Sequence, residues 1–134
     1  IIAEPEEVKE GHGKILFMDD EEPIRKIVGK MLKQIGYETF FAVNGEEAIE
    51  LYKESIASGA PYKGVILDLT IKGGMGGAET IKKLRNINPK VKVIVSSGYS
   101  DDSILSDPEK YGFNDVLLKP YTLERLSLLL KKVF

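Results

Sequence analysis

Short apolar runs alternate along this chain with longer amphipathic segments, and this alternation restricts the possible folds more than any other feature. The short runs are typical of buried parallel strands and cover residues 15–18, 39–43, 65–67, 91–95 and 116–118. Between them apolar residues recur at spacings of three and four, as in residues 23–35, which predicts helices. This order of elements predicts an α/β fold, with five parallel strands and helices on both faces of the sheet.

Several predicted helices carry signals at their ends. Pro23 fits the first turn of the first helix, and Gly36 fits its end. Asn44 is typical of a cap at the start of the second helix, and Thr122 of a cap at the start of the last. A shorter helix is expected between residues 101 and 111.

Composition excludes several classes of function. The chain has 134 residues, about the length of one domain, and no cysteine, which excludes disulfides and thiolate metal sites. His12 is the single histidine, which excludes histidine triads, and we expect it to be exposed and non-catalytic. The net charge is −2 without a basic stripe, so nucleic-acid binding has little electrostatic support. No apolar run approaches the roughly 20 residues that a membrane helix needs.

The first residues differ in character from the rest. Residues 1–13 carry four glutamates, Pro5 and two glycines without sustained periodicity, which predicts a linker or tether. Residues 14–134 are then expected to form the single folded domain. Because the chain starts with Ile1 and stops within an apolar helical pattern, we expect it to be a segment of a longer protein. A cytoplasmic location is expected, which leaves room for a membrane anchor in that longer protein.

Polar residues follow the predicted strands at the points where they end. Asp19 and Asp20 follow the first strand, Asp68 the third, Ser97 the fourth and Lys119 the fifth. Because ligands of such sheets bind at the carboxyl ends of the strands, we expect these side chains to meet. Clustered carboxylates repel one another, and Mg²⁺ prefers oxygen ligands. The sequence therefore predicts a Mg²⁺ site able to bind or transfer a phosphoryl group, with Asp68 as the natural nucleophile.

These motifs resemble the receiver domains of two-component response regulators. The resemblance runs from about residue 14 to residue 134, nearly the whole chain, and rests on ILFMDDEE, VILDLT, VIVSSG and VLLKPY, in that order. Within the family, the loop DLTIKGGMGGAETI, with SSGYS and NDVLLKPYT, is most similar to the receivers of hybrid sensor histidine kinases. The resemblance implies a flavodoxin-like (βα)5 fold with strand order 2-1-3-4-5.

The resemblance also implies a role for each residue at the strand ends. Asp68 would accept the phosphoryl group, Lys119 would pair with a phosphoryl oxygen, and Ser97 would be the switch hydroxyl. The bond from Lys119 to Pro120 would be cis, as X-Pro bonds permit. Asp19 would bind Mg²⁺ directly or through water, and the full set of ligands would be Asp19, Asp20, Asp68 and the main-chain carbonyl of Thr70.

Partners and surfaces follow from the same resemblance. A histidine kinase or a histidine phosphotransfer domain would donate the phosphoryl group, so the domain would not itself be an enzyme. Phosphorylation would change the surface formed by the fourth helix, the fifth strand and the fifth helix, through which a homodimer could also form. Thr70 and Tyr99 would help to set the lifetime of the phosphoryl group. No nucleic-acid or membrane partner is expected for this segment.

Two positions depart from the family's pattern. Val116 stands where the switch aromatic usually lies, three residues before Lys119, so a simple coupling of serine and tyrosine rotamers is in question. Lys72 stands where the family commonly has proline, and the glycine-rich loop after it is expected to be more flexible.

Other functions stay open at this point. A degenerate receiver would act only as a protein-interaction module. The complete set of Asp19, Asp20, Asp68 and Lys119 argues against this alternative, but the departures at Lys72 and Val116 leave it open. A haloacid-dehalogenase-like phosphatase also uses a strand-end aspartate and Mg²⁺, but it usually needs a second aspartate where this chain has Thr70. A dinucleotide-binding enzyme is less favoured, because no GxGxxG motif follows the first strand.

Overall fold

The computed structural model describes residues 13–98 and 103–134. Strands and helices alternate through these residues, as the apolar pattern predicts. The elements are β1 (Lys14–Met18), α1 (Glu22–Ile35), β2 (Glu38–Ala42), α2 (Gly45–Ala57), β3 (Gly64–Asp68), α3 (Gly77–Ile87), β4 (Val93–Ser97), α4 (Ser103–Ser106), a 3-10 helix (Pro108–Tyr111), β5 (Asp115–Leu118) and α5 (Leu123–Val133). No helix among the described residues is long and apolar enough to cross a membrane.

The five strands form one parallel sheet in the order β2-β1-β3-β4-β5, which confirms the predicted α/β fold and strand order. Successive side chains of a strand point to opposite faces, so the sheet divides the core into two layers. One layer packs against α2 and α3 and includes Leu16, Tyr52, Leu67, Leu84 and Val95. The other packs against α1 and α5 and includes Ile15, Leu32, Ile66, Ile94 and Leu126.

The helix ends form as their sequence signals predict. The side chain of Asn44 accepts a hydrogen bond from the main-chain N–H of Glu47 at 2.9 Å. The hydroxyl of Thr122 accepts one from the N–H of Arg125 at 3.1 Å. Gly36 ends α1 with a φ of 115°, a conformation that glycine adopts at little cost. These caps fix where α2 and α5 begin, and α5 begins close to the end of β5.

The fourth strand lies two residues later than predicted, at Val93–Ser97 instead of residues 91–95. The prediction was wrong because Val91 is buried and apolar but belongs to a turn. Its N–H donates to the carbonyl of Asn88 at 3.1 Å, and the side chain of Asn88 accepts from Lys90 at 3.0 Å. Ser96 and Ser97 therefore lie within the strand and not after it. The other strands differ from prediction by one residue at either end.

The segment between β4 and β5 is only partly described. The helix expected between residues 101 and 111 is split into α4 and the 3-10 helix, because Pro108 has no N–H to continue an α-helical ladder. Residues 101–102 and Tyr99 lie outside the described residues. Residues 1–12, including His12, also lie outside them, so the linker and the exposure of His12 stay predictions.

Candidate functional site

The residues at the strand ends converge on one edge of the sheet, as the sequence predicts. They line a cleft of about 490 Å³ at the carboxyl ends of the strands. Residues lining this cleft include Asp20, Asp68, Thr70, Lys72, Ser97 and Lys119. Asp19 lies at the base of the same edge and is fully buried. The topology places these groups together because β1, β3 and β4 are neighbours and β5 follows β4.

Lys119 lies between two buried carboxylates. Its ammonium nitrogen is 2.9 Å from Oδ2 of Asp19 and 3.5 Å from Oδ2 of Asp68. The main-chain N–H of Lys119 donates to the carbonyl of Ser97 at 3.0 Å, which fixes the start of the side chain beside β4. The bond to Pro120 is cis, as expected. One cation thus faces two anions, and the negative charge of the pair is only partly neutralised.

Asp19 is held by its own main chain and by α1. Its Oδ1 accepts a hydrogen bond from the N–H of Glu21 at 2.9 Å. Its carbonyl accepts one from Nη1 of Arg25 at 2.8 Å, a contact that the sequence did not predict. Its Oδ2 has no hydrogen-bond donor among the described residues besides the adjacent ammonium of Lys119. A buried carboxylate oxygen in this position can accept a further cation.

Three carboxylates lie next to one another where β1 meets α1. Single oxygens of Asp19, Asp20 and Glu21 lie within 4.8 Å of one another. Asp20 also accepts a hydrogen bond from the main-chain N–H of Lys72 at 3.1 Å, so Lys72 contributes its backbone to this edge. Glu21 was not among the predicted ligands, although the acidic run DDEE was the available signal. Clustered carboxylate oxygens fit a hard divalent cation such as Mg²⁺.

Asp68 ends β3 and is closely covered by the start of α3. A Cβ atom on Gly77 would lie 2.8 Å from the carbonyl oxygen of Asp68, so only glycine allows this approach. The pKa of Asp68 is raised to about 6, chiefly by burial and also by the charge of Asp19. The ammonium of Lys119 and the N–H of Thr70 act in the opposite direction. A substantial fraction of this carboxyl is therefore ionised near neutral pH.

Lys119 remains a cation in this environment. Burial alone would lower its pKa, but the hydrogen bond with Asp19 and the charges of Asp68 and Asp19 outweigh burial. The pKa of Lys119 is therefore raised above its ordinary value. The ammonium can stabilise negative charge that develops at Asp68.

Two serines at the end of β4 face different neighbours. Ser96 is opposite Asp68 in the parallel register, and Ser97 is opposite Leu118. Both are buried, and Ser97 lines the cleft as predicted. The hydroxyl of Ser96 is hydrogen-bonded to the hydroxyl of Tyr121. No role was predicted for Tyr121 from the sequence.

The position of the switch aromatic is occupied by an aliphatic side chain. Val116 is half-buried on β5, opposite Val95 in the register. It packs against the core layer that contacts α2 and α3. The aromatic group that contacts a serine hydroxyl near this edge is therefore the ring of Tyr121, which comes after β5 in the chain.

A family model describing the response regulator receiver domain matches residues 15–131 of this chain. The chain belongs to the response regulator receiver family. This match confirms the family predicted from the sequence. Receiver domains are signalling modules of two-component systems. The names of the relatives do not identify it as a receiver of a hybrid sensor kinase.

Several similar proteins support this assignment. The chain is 31% identical over 121 residues to the chemotaxis protein CheY of Thermotoga maritima, covering 90% of this chain and 96% of that protein. It is 29% identical over 119 residues to the sporulation initiation phosphotransferase F of Bacillus subtilis, covering 89% and 91%. It is also 34% identical over 122 residues to an NtrX-like response regulator of Rickettsia bellii, covering 88% of this chain. The chain spans only about a quarter of the length of that last relative.

A solved structure gives the same picture of the fold. The response regulator protein TrrA of Thermotoga maritima, crystallised in complex with Mg²⁺-BeF, is 31% identical to this chain. The two superimpose with a TM-score of 0.75, covering 91% of this chain and 99% of that one. The receiver fold is thus shared over almost the whole of both chains.

Proposed function

We propose that this receiver is a phosphoacceptor in which Asp68 takes a phosphoryl group from a phosphohistidine donor. The observation that carries the proposal is the ammonium of Lys119 between Asp19 and Asp68, at the base of an open cleft. An oxygen of Asp68 forms a bond to phosphorus as the phosphorus–nitrogen bond of the donor breaks. The imidazole nitrogen keeps the electron pair and takes up a proton.

The residues of the chain provide most of what phosphoryl transfer needs, which is positioning and neutralisation of charge. The pKa of Asp68, about 6, leaves a nucleophilic carboxylate available at neutral pH. The N–H of Thr70 orients that carboxylate, and the ammonium of Lys119 faces its Oδ2. We infer that, once Asp68 carries the phosphoryl group, the ammonium of Lys119 pairs with one of the phosphoryl oxygens.

We infer that Mg²⁺ is the cofactor. Its ligands would be Asp19, Asp20, Asp68 and the main-chain carbonyl of Thr70. The fit is supported by the clustered carboxylate oxygens and by the buried Oδ2 of Asp19. A bound Mg²⁺ would neutralise charge on the phosphoryl oxygens. Glu21 is a further acidic group within reach of this cluster.

We also infer the switch and its partners. Ser97 would move its hydroxyl toward the phosphoryl group, supported by its place in the cleft and by its carbonyl accepting from Lys119. The surface of α4, β5 and α5 would then change, and it is the surface proposed for a homodimer. The donor would be a histidine kinase or a histidine phosphotransfer domain. The motif loops favour a receiver of a hybrid sensor histidine kinase, with residues 1–13 as a linker and residues 14–134 as the domain. We infer a cytoplasmic location for this segment, which leaves room for a membrane anchor elsewhere in the parent protein.

Intact mass after incubation with acetyl phosphate tests this proposal. We expect one phosphoryl addition to the wild-type chain with Mg²⁺, and none after a chelator is added. Asp68→Asn should abolish the addition, because an amide oxygen is too weak a nucleophile to take its place.

The matched control for this experiment is Asp107→Asn, at an exposed position outside the cleft. It should take up the phosphoryl group as the wild type does. Equal addition to folded Asp68→Asn protein would contradict the role of Asp68. No addition to folded wild-type protein with Mg²⁺ present would contradict the whole proposal.

Val116, in place of the usual switch aromatic, favours a second candidate function. In this alternative the domain is a receiver that acts only through protein interaction. A receiver of this kind would bind its partner equally well with and without phosphorylation. The acceptor proposal requires a change in affinity on phosphorylation, because a ligand shifts an equilibrium only through different affinities for the two states. Affinity for the same partner before and after acetyl phosphate treatment separates the two.

A further inference from the structure

Two hydroxyls form a hydrogen bond beside the cleft, and none of the roles assigned above uses it. The hydroxyl of Ser96 contacts that of Tyr121, and either group can be the donor. Ser96 is fully buried on β4, opposite Asp68 on one side and Leu117 on the other. Side chains of register partners in a parallel sheet share a face, so Ser96 and Asp68 face the same side. The hydroxyl pair therefore lies on the side of the sheet where the acidic site is built.

The hydrogen bond between Ser96 and Tyr121 is the second of two contacts that hold the segment of Lys119 against β4. The main-chain N–H of Lys119 donates to the carbonyl of Ser97, and two residues later Tyr121 bonds the side chain of Ser96. The segment from Lys119 to Tyr121 is thus tied to the end of β4 at both of its ends. A lysine side chain has several rotatable bonds, so fixing its base narrows the volume that its ammonium can occupy.

The surroundings of Tyr121 keep its phenol hydroxyl protonated and therefore uncharged. Burial raises its pKa, the hydrogen bond with Ser96 lowers it, and the charges of Asp19 and Asp68 raise it again. The net effect is a raised pKa, so the phenol keeps its proton at neutral pH. The ring packs with the core layer of α1 and α5, which fixes the direction of the hydroxyl.

We propose that Tyr121 is a positioning residue for Lys119, and that its hydroxyl acts through Ser96 to hold the ammonium between Asp19 and Asp68. The proposal rests on the proposed function only for its effect on phosphoryl transfer, since the geometry exists without any phosphoryl group. Val116 offers no hydroxyl and no ring at the usual aromatic position. The hydroxyl of Tyr121, which follows β5 in the chain, instead links the segment of Lys119 to β4 through Ser96.

Hydrogen exchange of the Lys119 ammonium with water tests the positioning directly, in the metal-free and unphosphorylated protein. The ¹⁵Nζ signal would be assigned with Lys119→Arg and followed in Tyr121→Phe, Ser96→Ala and the double variant. We expect exchange to be about three to ten times faster in each single variant, the factor that one net hydrogen bond represents. The double variant should be no faster than either single variant, because both act on the same bond.

The matched control is Tyr37→Phe. Tyr37 is buried and directly precedes β2, so it lies at the amino ends of the strands, whereas the cleft lies at their carboxyl ends. This variant should leave the exchange of Lys119 unchanged. The rate of phosphorylation by acetyl phosphate should fall in Tyr121→Phe and Ser96→Ala by a similar factor, and stay unchanged in the control.

The outcomes separate this inference from the proposed function. Wild-type exchange in both Tyr121→Phe and Ser96→Ala would overturn the positioning role, even if the wild type is phosphorylated normally. Effects that multiply in the double variant would also overturn it, because the two hydroxyls would then act separately. Faster exchange in a protein that takes up no phosphoryl group would support the positioning role and refute the proposed function.

Discussion

Lys119→Met should lower the free energy of unfolding of the metal-free protein by about 3 kcal/mol at neutral pH, the scale for a broken buried ion pair. The ammonium is 2.9 Å from Asp19 and 3.5 Å from Asp68, and both carboxylates are almost completely buried. Without it the two anions repel each other in a place that water hardly reaches. Unfolding in denaturant with a chelator present measures the change.

The same variant should respond more strongly to Mg²⁺ than the wild type does. A bound cation would replace the missing ammonium, so added Mg²⁺ should restore most of the lost stability. Phosphoryl transfer from acetyl phosphate should still be slower by about 100-fold, the typical loss when a group that stabilises developing charge is removed.

Lys132→Met is the matched control for Lys119→Met. Lys132 forms an ion pair of 3.0 Å with Asp115, but its side chain is 74% exposed. Its removal should change stability little, because exposed ion pairs contribute little. Wild-type stability of Lys119→Met in the chelator, or an equal response of both proteins to Mg²⁺, would contradict the account of Lys119.

Those parts of the fold that follow from local pattern could be predicted. Apolar runs and helical spacings are properties of neighbouring residues, and right-handed crossovers leave few arrangements for five parallel strands. Convergence of Asp19, Asp68 and Lys119 then followed from topology alone, because each stands where a strand ends. The boundary of β4 was missed because Val91 is as apolar as a strand residue, although its N–H bonds within a turn.

Apart from the helix caps, contacts between side chains and the main chain could not be predicted. Arg25 bonds the carbonyl of Asp19, and Arg85 bonds the carbonyls of Gly112 and Pro89. Every residue has a carbonyl, so such a contact leaves no recognisable pairing of residue types in the sequence. The hydrogen bond between Ser96 and Tyr121 was also missed. It depends on the path of the chain between Pro120 and the start of α5, which the sequence pattern does not specify.

Asp68→Asn should stabilise the metal-free protein at neutral pH, and this gain should vanish in acid. The pKa of Asp68 is raised from 3.8 to about 6, so the folded state binds this proton more tightly than the unfolded state. The favourable contribution is complete below the unfolded pKa and is lost as the pH rises through about 6. At neutral pH the ionised carboxylate costs as much as about 3 kcal/mol.

The net gain of Asp68→Asn should be as much as about 3 kcal/mol, because a pKa of about 6 already includes the attraction of Asp68 to Lys119. Unfolding in denaturant, with a chelator, at neutral pH and below the unfolded pKa measures it. Asp107→Asn, at an exposed position, should show no such dependence on pH. A gain that persists in acid would mean that the amide stabilises the fold through a new contact and not through the missing charge.

Combining Asp68→Asn with Lys119→Met gives the sharpest form of this prediction. Without the ammonium an ionised Asp68 is opposed by Asp19 alone, so neutralising it should stabilise the Lys119→Met protein more than the wild type. The two changes should therefore be non-additive, as expected for groups in direct contact. Additive effects would mean that Lys119 acts mainly on Asp19, the carboxylate at 2.9 Å, and that its 3.5 Å contact with Asp68 contributes little to stability.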